Sequence, residues 1–289
     1  MAQRSLPQPE IKLDAFPPAE MATKVEAASV KRATASAVQL FALAILAGAF
    51  ISLGGIYSTV VLAGTSNLPY GVQRLLGGLV FCLGLILVVV GGAELFTGNS
   101  LIVMAWATRK ITTAQVLRNW GIVYLGNFVG SLGTAWVMFL SQQYTFGGGA
   151  VGLTALSIGD SKCALDFVPA VALGIMCNAL VCLAVWLCFS ARSTTDKILA
   201  VLFPISAFVA AGFEHSVANM YFIPVALFIK AGAAGDFWTA IGKSAGDFSS
   251  LTWGSFFLRN LIPVTLGNVI GGAVLVSGFY WFIYLRKQA

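Results

Sequence analysis

Six long apolar stretches, separated by short polar segments, dominate the chain. They cover residues 36–63, 74–108, 115–141, 166–190, 196–230 and 256–285. A helix that crosses a bilayer needs about 20 mostly apolar residues. The pattern therefore predicts an all-α membrane protein with six transmembrane helices.

A polar motif interrupts the second and the fifth stretch. The second stretch reads Gly-Gly-Ala-Glu-Leu-Phe-Thr-Gly-Asn over residues 91–99, and the fifth reads Gly-Phe-Glu-His-Ser-Val-Ala-Asn over residues 212–219. Non-helical backbone at membrane depth is tolerated only where protein or a water-filled cavity satisfies its polar groups. We predict that helices 2 and 5 are broken, and that both breaks lie inside the protein near the middle of the membrane.

The two halves of the chain repeat the same motifs. Glu94 is followed after five residues by Asn99, and Glu214 is followed at the same spacing by Asn219. A second phrase also recurs: Asn119, Leu125, Gly126, Asn127 and Gly130 match Asn260, Leu266, Gly267, Asn268 and Gly271. An odd number of spans in each copy reverses the second copy, so three spans per half predict two inverted three-helix repeats.

We divide the chain into two regions. Residues 1–35 form a cytoplasmic N-terminal tail with an amphipathic helix, and residues 36–289 form the transmembrane channel domain. Repeat one covers residues 36–141 and repeat two covers residues 166–285. With the N-terminus inside, most of the 17 lysines and arginines fall in cytoplasmic segments, which predicts that both termini are cytoplasmic.

Composition agrees with a membrane protein and excludes other classes. Hydrophobic residues make up 58% of the chain and charged residues 10%, whereas soluble domains average about 25% charged residues. The net charge of +6 is not gathered into a basic patch interleaved with aromatic side chains, so no nucleic-acid partner is predicted.

Neither a metal site nor a cofactor is predicted. The chain has one histidine and five cysteines, and their spacing matches no metal-ligand pattern. Sequence signatures of serine hydrolases and zinc proteases are missing, so we predict that the protein is not an enzyme. Inverted repeats with broken helices serve secondary transporters too, and a proton-coupled symporter remains the alternative.

His215 is the strongest candidate for function. It is the only histidine and lies in the second break beside Glu214, where repeat one has Leu95. The charge of an imidazole can switch near neutral pH. In the first break, Thr97 could donate its hydroxyl to a substrate or to His215, or it could cap the helix that resumes near Ser100.

The other polar residues in and around the breaks allow two interpretations each. Glu94 and Glu214 could be cation ligands, but we favour structural carboxylates that accept hydrogen bonds from the freed backbone. Asn127 and Asn268 could bind an interrupted helix or face a lumen. Some of the large apolar residues around the breaks could form constrictions that exclude hydrated ions.

Three segments carry a family resemblance: residues 91–99, 211–220 and 260–272 resemble the formate/nitrite transporter family, and the likeness covers nearly the whole chain. Residues 83–87 and 182–186 place it nearest the formate-channel subgroup. The resemblance implies a homopentamer of aquaporin-like protomers, each with its own pore through the lipid bilayer.

The resemblance also implies roles for individual residues. His215, Thr97, Asn178 and Asn268 would form the central pore and contact the substrate. The apolar constrictions would be Phe81, Leu85, Leu95 and Phe208, and Lys162 would lie in the outer vestibule.

The expected function is a passive or proton-linked channel for formate in a bacterial cytoplasmic (inner) membrane. The sequence of the first break differs from that of the formate-channel subgroup, because Glu94 and Gly98-Asn99 stand where that subgroup often has Asp and Ser-Thr. Nitrite, hydrosulfide or another small monovalent anion therefore stays open as the substrate.

Overall fold

The computed structural model describes residues 14–286, and this part of the chain consists of helices and the turns between them, without a β-strand. The helices are α1 (Pro18–Thr34), α2 (Ala37–Leu62), α3 (Tyr70–Gly91), α4 (Gly98–Ala107), α5 (Thr113–Leu140), α6 (Ala150–Cys163), α7 (Phe167–Cys188), α8 (Thr194–Ala210), α9 (Ser216–Gly232), α10 (Gly235–Ile241) and α11 (Trp253–Leu285). Helix α4 opens with a 3₁₀ segment, and much of α11 has the wider π-helical winding.

Five of these helices are long and apolar enough to cross a membrane: α2, α3, α5, α7 and α11. Helix α9 alone is too short to count as a span. By length and composition it would form a sixth span together with α10, but α10 bends away from it by 112°. The predicted fifth stretch instead consists of α8 and α9, with 17 residues each, joined through the second break. The all-α fold with broken second and fifth stretches is confirmed.

Each break begins at a glycine in the left-handed region. Gly92 has φ +81° and Gly212 has φ +74°, a conformation that side chains with a Cβ rarely adopt. The next residue folds back on the helix, since Ala93 N donates to Val88 O at 2.9 Å and the corresponding atoms of repeat two are 3.0 Å apart. The helix therefore ends with its last carbonyl groups satisfied.

The two repeats pack as interlocked copies. Helix α2 packs against α3 and α5, and α7 packs in the same way against α8 and α11. Helices α3 and α8 meet each other at the centre, while α4 lies on α11 and α9 lies on α5. Each half therefore places its post-break helix against the other half.

The packing adds one helix to the start of each predicted repeat. Helix α1 lies on α4, and α6 lies on α9. The predicted boundaries at residues 36 and 166 left out both helices because their sequences share no obvious motif. The start of the predicted tail, residues 1–13, lies outside the described residues, as do residues 287–289.

Candidate functional site

Two asparagines hold the breaks in place. Asn127 Oδ1 accepts a hydrogen bond from Phe96 N at 2.9 Å, and its Nδ2 donates to Ala44 O at 2.8 Å and to Glu94 O at 2.9 Å. The side chain is fully buried. Its amide thus satisfies backbone groups that lost their helical partners at the first break.

Asn268 makes the same three bonds in repeat two. It accepts from Ser216 N at 2.9 Å and donates to Gly174 O at 2.8 Å and to Glu214 O at 2.9 Å. Of the two interpretations of Asn127 and Asn268, the structure supports the one in which they are hydrogen-bonded to an interrupted helix. The contacts of Asn268 thus favour a structural role over the predicted place in the pore.

The two carboxylates of the breaks also match. Glu94 accepts a hydrogen bond from Asn99 Nδ2 at 2.7 Å and faces Arg32 Nε at 3.4 Å. Glu214 accepts from Asn219 Nδ2 at 2.7 Å and from Lys162 Nζ at 2.7 Å. We expected bonds from the freed backbone, but the asparagines described above already bind it, and the carboxylates bind side chains instead.

Lys162 lies near the predicted place but with its charge already paired. It borders a cavity beside Glu214, and its side chain is 16% exposed. Because its ammonium contacts the Glu214 carboxylate, the pair presents little net charge to the cavity. Arg32 on α1 holds the corresponding position beside Glu94.

His215 and Thr97 connect the two breaks at the centre of the protein. His215 Nε2 lies 2.8 Å from Thr97 Oγ1, and both residues are buried. His215 also caps α9, because its Nδ1 accepts from Ala218 N at 3.1 Å. An acceptor at Nδ1 places the hydrogen of the neutral ring on Nε2, so the histidine donates to the Thr97 hydroxyl.

Asn178 is hydrogen-bonded to α4 and α11 rather than to the histidine. Its Nδ2 donates to Ser100 Oγ at 3.1 Å and to Asn268 O at 2.6 Å. The buried amide joins α7 to α4 and α11. These contacts favour a structural role for Asn178 as well.

Three cavities follow one another through the centre of the chain. The Glu94 vestibule, bordered by Glu94 and Arg32, has a volume of about 300 Å³. The Glu214 vestibule, bordered by Glu214 and Lys162, has about 290 Å³. Between them lies the His215 chamber, with about 10 Å³, which is roughly the room that one water molecule needs.

The four residues predicted as constrictions form the walls between these cavities. Leu85 and Leu95 line both the Glu94 vestibule and the chamber. Phe81 and Phe208 line both the chamber and the Glu214 vestibule. The two phenylalanine rings contact each other edge to face with centroids 5.6 Å apart, so the wall towards the Glu214 vestibule is closed in this structure.

The chamber is built from residues that the duplication relates. Its lining is Ile51, Phe81, Leu85, Leu95, Val181, Ile205, Phe208 and His215. Three pairs among them occupy equivalent positions of the two repeats: Ile51 with Val181, Leu85 with Ile205, and Leu95 with His215. The chamber thus lies at the junction of the repeats, and His215 is its single polar side chain.

Sequence reasoning missed several residues of the site. Ile51, Val181 and Ile205 could have been found by extending the repeat alignment along α2, α7 and α8. Arg74 and Lys197 each line a vestibule, but they have no counterpart in the other repeat. No sequence signal distinguished them from basic residues at other helix ends.

The chain is similar to known membrane proteins over most of its length. A family profile described as formate/nitrite transporter matches residues 19–282. The chain is 47% identical over 275 residues to the formate channel FocA of Escherichia coli K12, covering 95% of this chain and 96% of FocA. It is 40% identical over 269 residues to FocA of Haemophilus influenzae, covering 93% and 95% of the two chains.

Solved structures are similar over the same length. A pentameric formate channel with formate bound has a TM-score of 0.83 and 48% identity, and the match covers 86% of this chain and 98% of that one. An FNT family ion channel has a TM-score of 0.75 and 29% identity, with 91% and 98% covered. These relatives are channels, in agreement with the prediction that the chain is not an enzyme.

Proposed function

The chain belongs to the formate/nitrite transporter family, and from that premise we propose that it is a formate channel of a bacterial cytoplasmic membrane. The named formate channels at 47% and 40% identity support formate as the substrate. The pentameric formate channel with formate bound supports a homopentamer in which each protomer has its own pore.

The observation that best supports a channel is the row of three cavities with His215 and Thr97 at its centre. A bare anion in an apolar constriction loses hydration worth several kcal/mol. The chamber offers a single polar side chain, and that side chain is hydrogen-bonded to a hydroxyl. Within the chamber, a small monovalent anion could therefore replace the hydrogen bonds lost from water only with bonds to this pair.

The hydrogen bonds of the two side chains support a proposal for their roles. Since His215 Nε2–H donates to Thr97 Oγ1, the Thr97 hydroxyl hydrogen points elsewhere, and no other acceptor among residues 14–286 takes it. That hydrogen is available for a formate oxygen. We infer that Thr97 donates to the anion while His215 holds and polarises Thr97.

Passive and proton-linked transport make different demands on His215. Proton transfer from His215 to formate needs a ring with hydrogen on both nitrogens, and such a ring would turn an N–H towards the Ala218 N–H that now caps α9. The ring would first have to break this bond. Passive conduction leaves the cap intact and is the simpler use of this geometry.

Passage requires movement of the apolar walls. A chamber with room for one water cannot hold formate with three heavy atoms. We propose that Phe81, Phe208, Leu85 and Leu95 change rotamers as an anion passes, on the ps–ns scale of side-chain motion or more slowly where they are packed.

A flux panel in proteoliposomes tests the proposal. Purified protein should pass formate faster than nitrite, acetate, lactate and hydrosulfide, with protein-free vesicles as the control. Absent formate flux beside rapid flux of another anion would replace the substrate and leave the channel. Accumulation of formate driven by a pH gradient alone would instead identify proton-coupled transport.

A further inference from the structure

We propose that Arg74 and Lys197 attract anions into the two vestibules, Arg74 at the Glu214 vestibule and Lys197 at the Glu94 vestibule. The inference rests on the proposed function, because it names the residues through which an anion pore gathers its substrate. It also departs from the expectation that Lys162 has this part.

The vestibules each contain one ion pair that leaves little charge for a solute. Lys162 Nζ and Glu214 Oε1 are 2.7 Å apart, and Arg32 Nε and Glu94 Oε1 are 3.4 Å apart. A cation in contact with a carboxylate has a field that falls off steeply, since the two opposite charges cancel at a distance. Attraction of an anion must come from a cation without such a partner.

Arg74 meets this condition in the Glu214 vestibule. It lies in the second turn of α3 and donates from Nε to Ala210 O at 3.1 Å and from Nη2 to Val209 O at 2.6 Å. Within residues 14–286 no carboxylate forms an ion pair with it. Two of the five N–H groups of an arginine are thus used on neutral carbonyls, and the positive charge stays uncompensated.

The position of Arg74 places this charge on the way in. A wide open groove of about 470 Å³ adjoins the Glu214 vestibule, and both cavities are lined by Leu62, Arg74, Ile158 and Ser161. Arg74 is the one basic residue at this junction. A solute that moves from the groove into the vestibule passes its guanidinium.

Lys197 has the equivalent part in the Glu94 vestibule. It lies in the first turn of α8, half-buried, and lines the vestibule. The neighbouring Asp196 carboxylate is bound instead to the backbone N–H groups of Arg192 and Ser193, each at 2.9 Å. In the described part of the chain Lys197 has no ion-pair partner.

The two cations occupy opposite ends of the central helix pair. Helices α3 and α8 are equivalent in the two repeats and meet at the chamber. Arg74 is at the start of one and Lys197 at the start of the other, and the helices run in opposite directions in an inverted repeat. Each mouth therefore receives, from the helix that begins there, one positive charge without an ion-pair partner in the described part of the chain.

Formate flux at low and high ionic strength tests the inference. Proteoliposomes would contain wild type, Arg74→Gln, Lys197→Gln or the double variant. Since the Debye length is about 30 Å at 10 mM salt and about 3 Å at 1 M, the double variant should lose roughly threefold to tenfold in initial rate at low salt. At 1 M it should match wild type.

Two sets of variants separate charge from structure. Arg74→Lys and Lys197→Arg keep the charge and should keep the flux at low salt. Lys31→Gln also removes one positive charge, but this side chain lines neither vestibule, so its flux should stay near wild type.

Three results would overturn the inference. A loss that is equal at both salt concentrations, or an Arg74→Lys variant as poor as Arg74→Gln, would assign these residues a merely structural role. An unchanged double variant would show that they do not contribute to anion entry. A wild-type protein that passes no formate or other anion at all would refute the proposed function instead.

Discussion

Position 215 shows how one substitution can turn a symmetric scaffold into a site. His215 and Leu95 occupy equivalent positions of the two repeats beside the chamber. Thr97, which contacts His215, is in the same way equivalent to Val217. The imidazole and the hydroxyl come from opposite halves and meet at 2.8 Å. The polar pair therefore exists only because the two breaks face each other.

Removal of the Thr97 hydroxyl should slow transport strongly. Thr97→Val keeps the volume but leaves His215 Nε2–H without its acceptor, a loss of about 1–3 kcal/mol for a buried group, and it removes the proposed donor to the anion. We expect a fall in formate flux of tenfold or more in proteoliposomes. Thr97→Ser retains the hydroxyl and should stay within a few-fold of wild type; equal loss in both variants would contradict this role.

Asn127 and Asn268 should prove equally important for stability. Each makes two bonds to the backbone at a break and one to a carbonyl of a neighbouring helix, α2 or α7, and each unsatisfied buried group costs about 1–3 kcal/mol. Asn127→Ala and Asn268→Ala should therefore lower the melting temperature in detergent by similar amounts. Unchanged stability of Asn268→Ala with lost flux would restore Asn268 to the pore.

At the scale of elements, helices α1 and α6 hold the two breaks from outside. Arg32 on α1 binds Glu94, and Lys162 on α6 binds Glu214. The same helices lie on α4 and α9, which resume after the breaks. A segment that lacks regular hydrogen bonds is thus fixed from one side by an ion pair and from the other by an asparagine.

Loss of Lys162 should destabilise the second break, and a second change should repair it. Lys162→Met leaves the Glu214 carboxylate, 4% exposed, without its cation, which typically costs about 3–5 kcal/mol for a buried pair. The Lys162→Met/Glu214→Gln double variant removes the unpaired charge and should recover most of that stability. Thermal unfolding measures both, and a double variant no better than the single one would contradict the pairing.

Much of this element level could be predicted from sequence. The glycine–glutamate–asparagine motif located the start of both breaks to within a residue, because glycines and polar side chains are rare inside apolar runs. The end of the second break was predicted less well, since α9 begins at Ser216, four residues before the predicted resumption after Asn219. Helix α6 was missed because Ala150–Cys163 mixes small and polar residues without a clear period. The cations that pair with Glu94 and Glu214 could not be predicted either, since Arg32 and Lys162 each lie more than 50 positions from their carboxylate.

At the scale of the whole molecule, the inverted duplication explains why the pore has two similar mouths. The vestibules have nearly equal volumes of about 300 and 290 Å³, and each combines an ion pair with one cation that has no ion-pair partner among residues 14–286. The chamber between them repeats three side-chain positions. Sequence comparison of the halves therefore predicted the symmetry, whereas the pairing of charges needed the folded chain.

The symmetry itself can be tested by moving the polar pair to the other repeat. His215→Leu with Leu95→His should stay impaired, because Val217 offers no hydroxyl to the relocated imidazole. Addition of Thr97→Val and Val217→Thr supplies it and should recover flux measurably above the double variant in proteoliposomes. Four changes that never exceed the double variant would indicate that the surroundings, not the pair alone, make the site.

The small volume of the His215 chamber also has a kinetic consequence. A space of about 10 Å³ cannot hold two solutes at once, so one anion cannot push another forward as ions do in multi-site filters. Each passage must finish before the next begins. Transport should therefore saturate as formate concentration rises, with a ceiling set by how often the aromatic and leucine walls part.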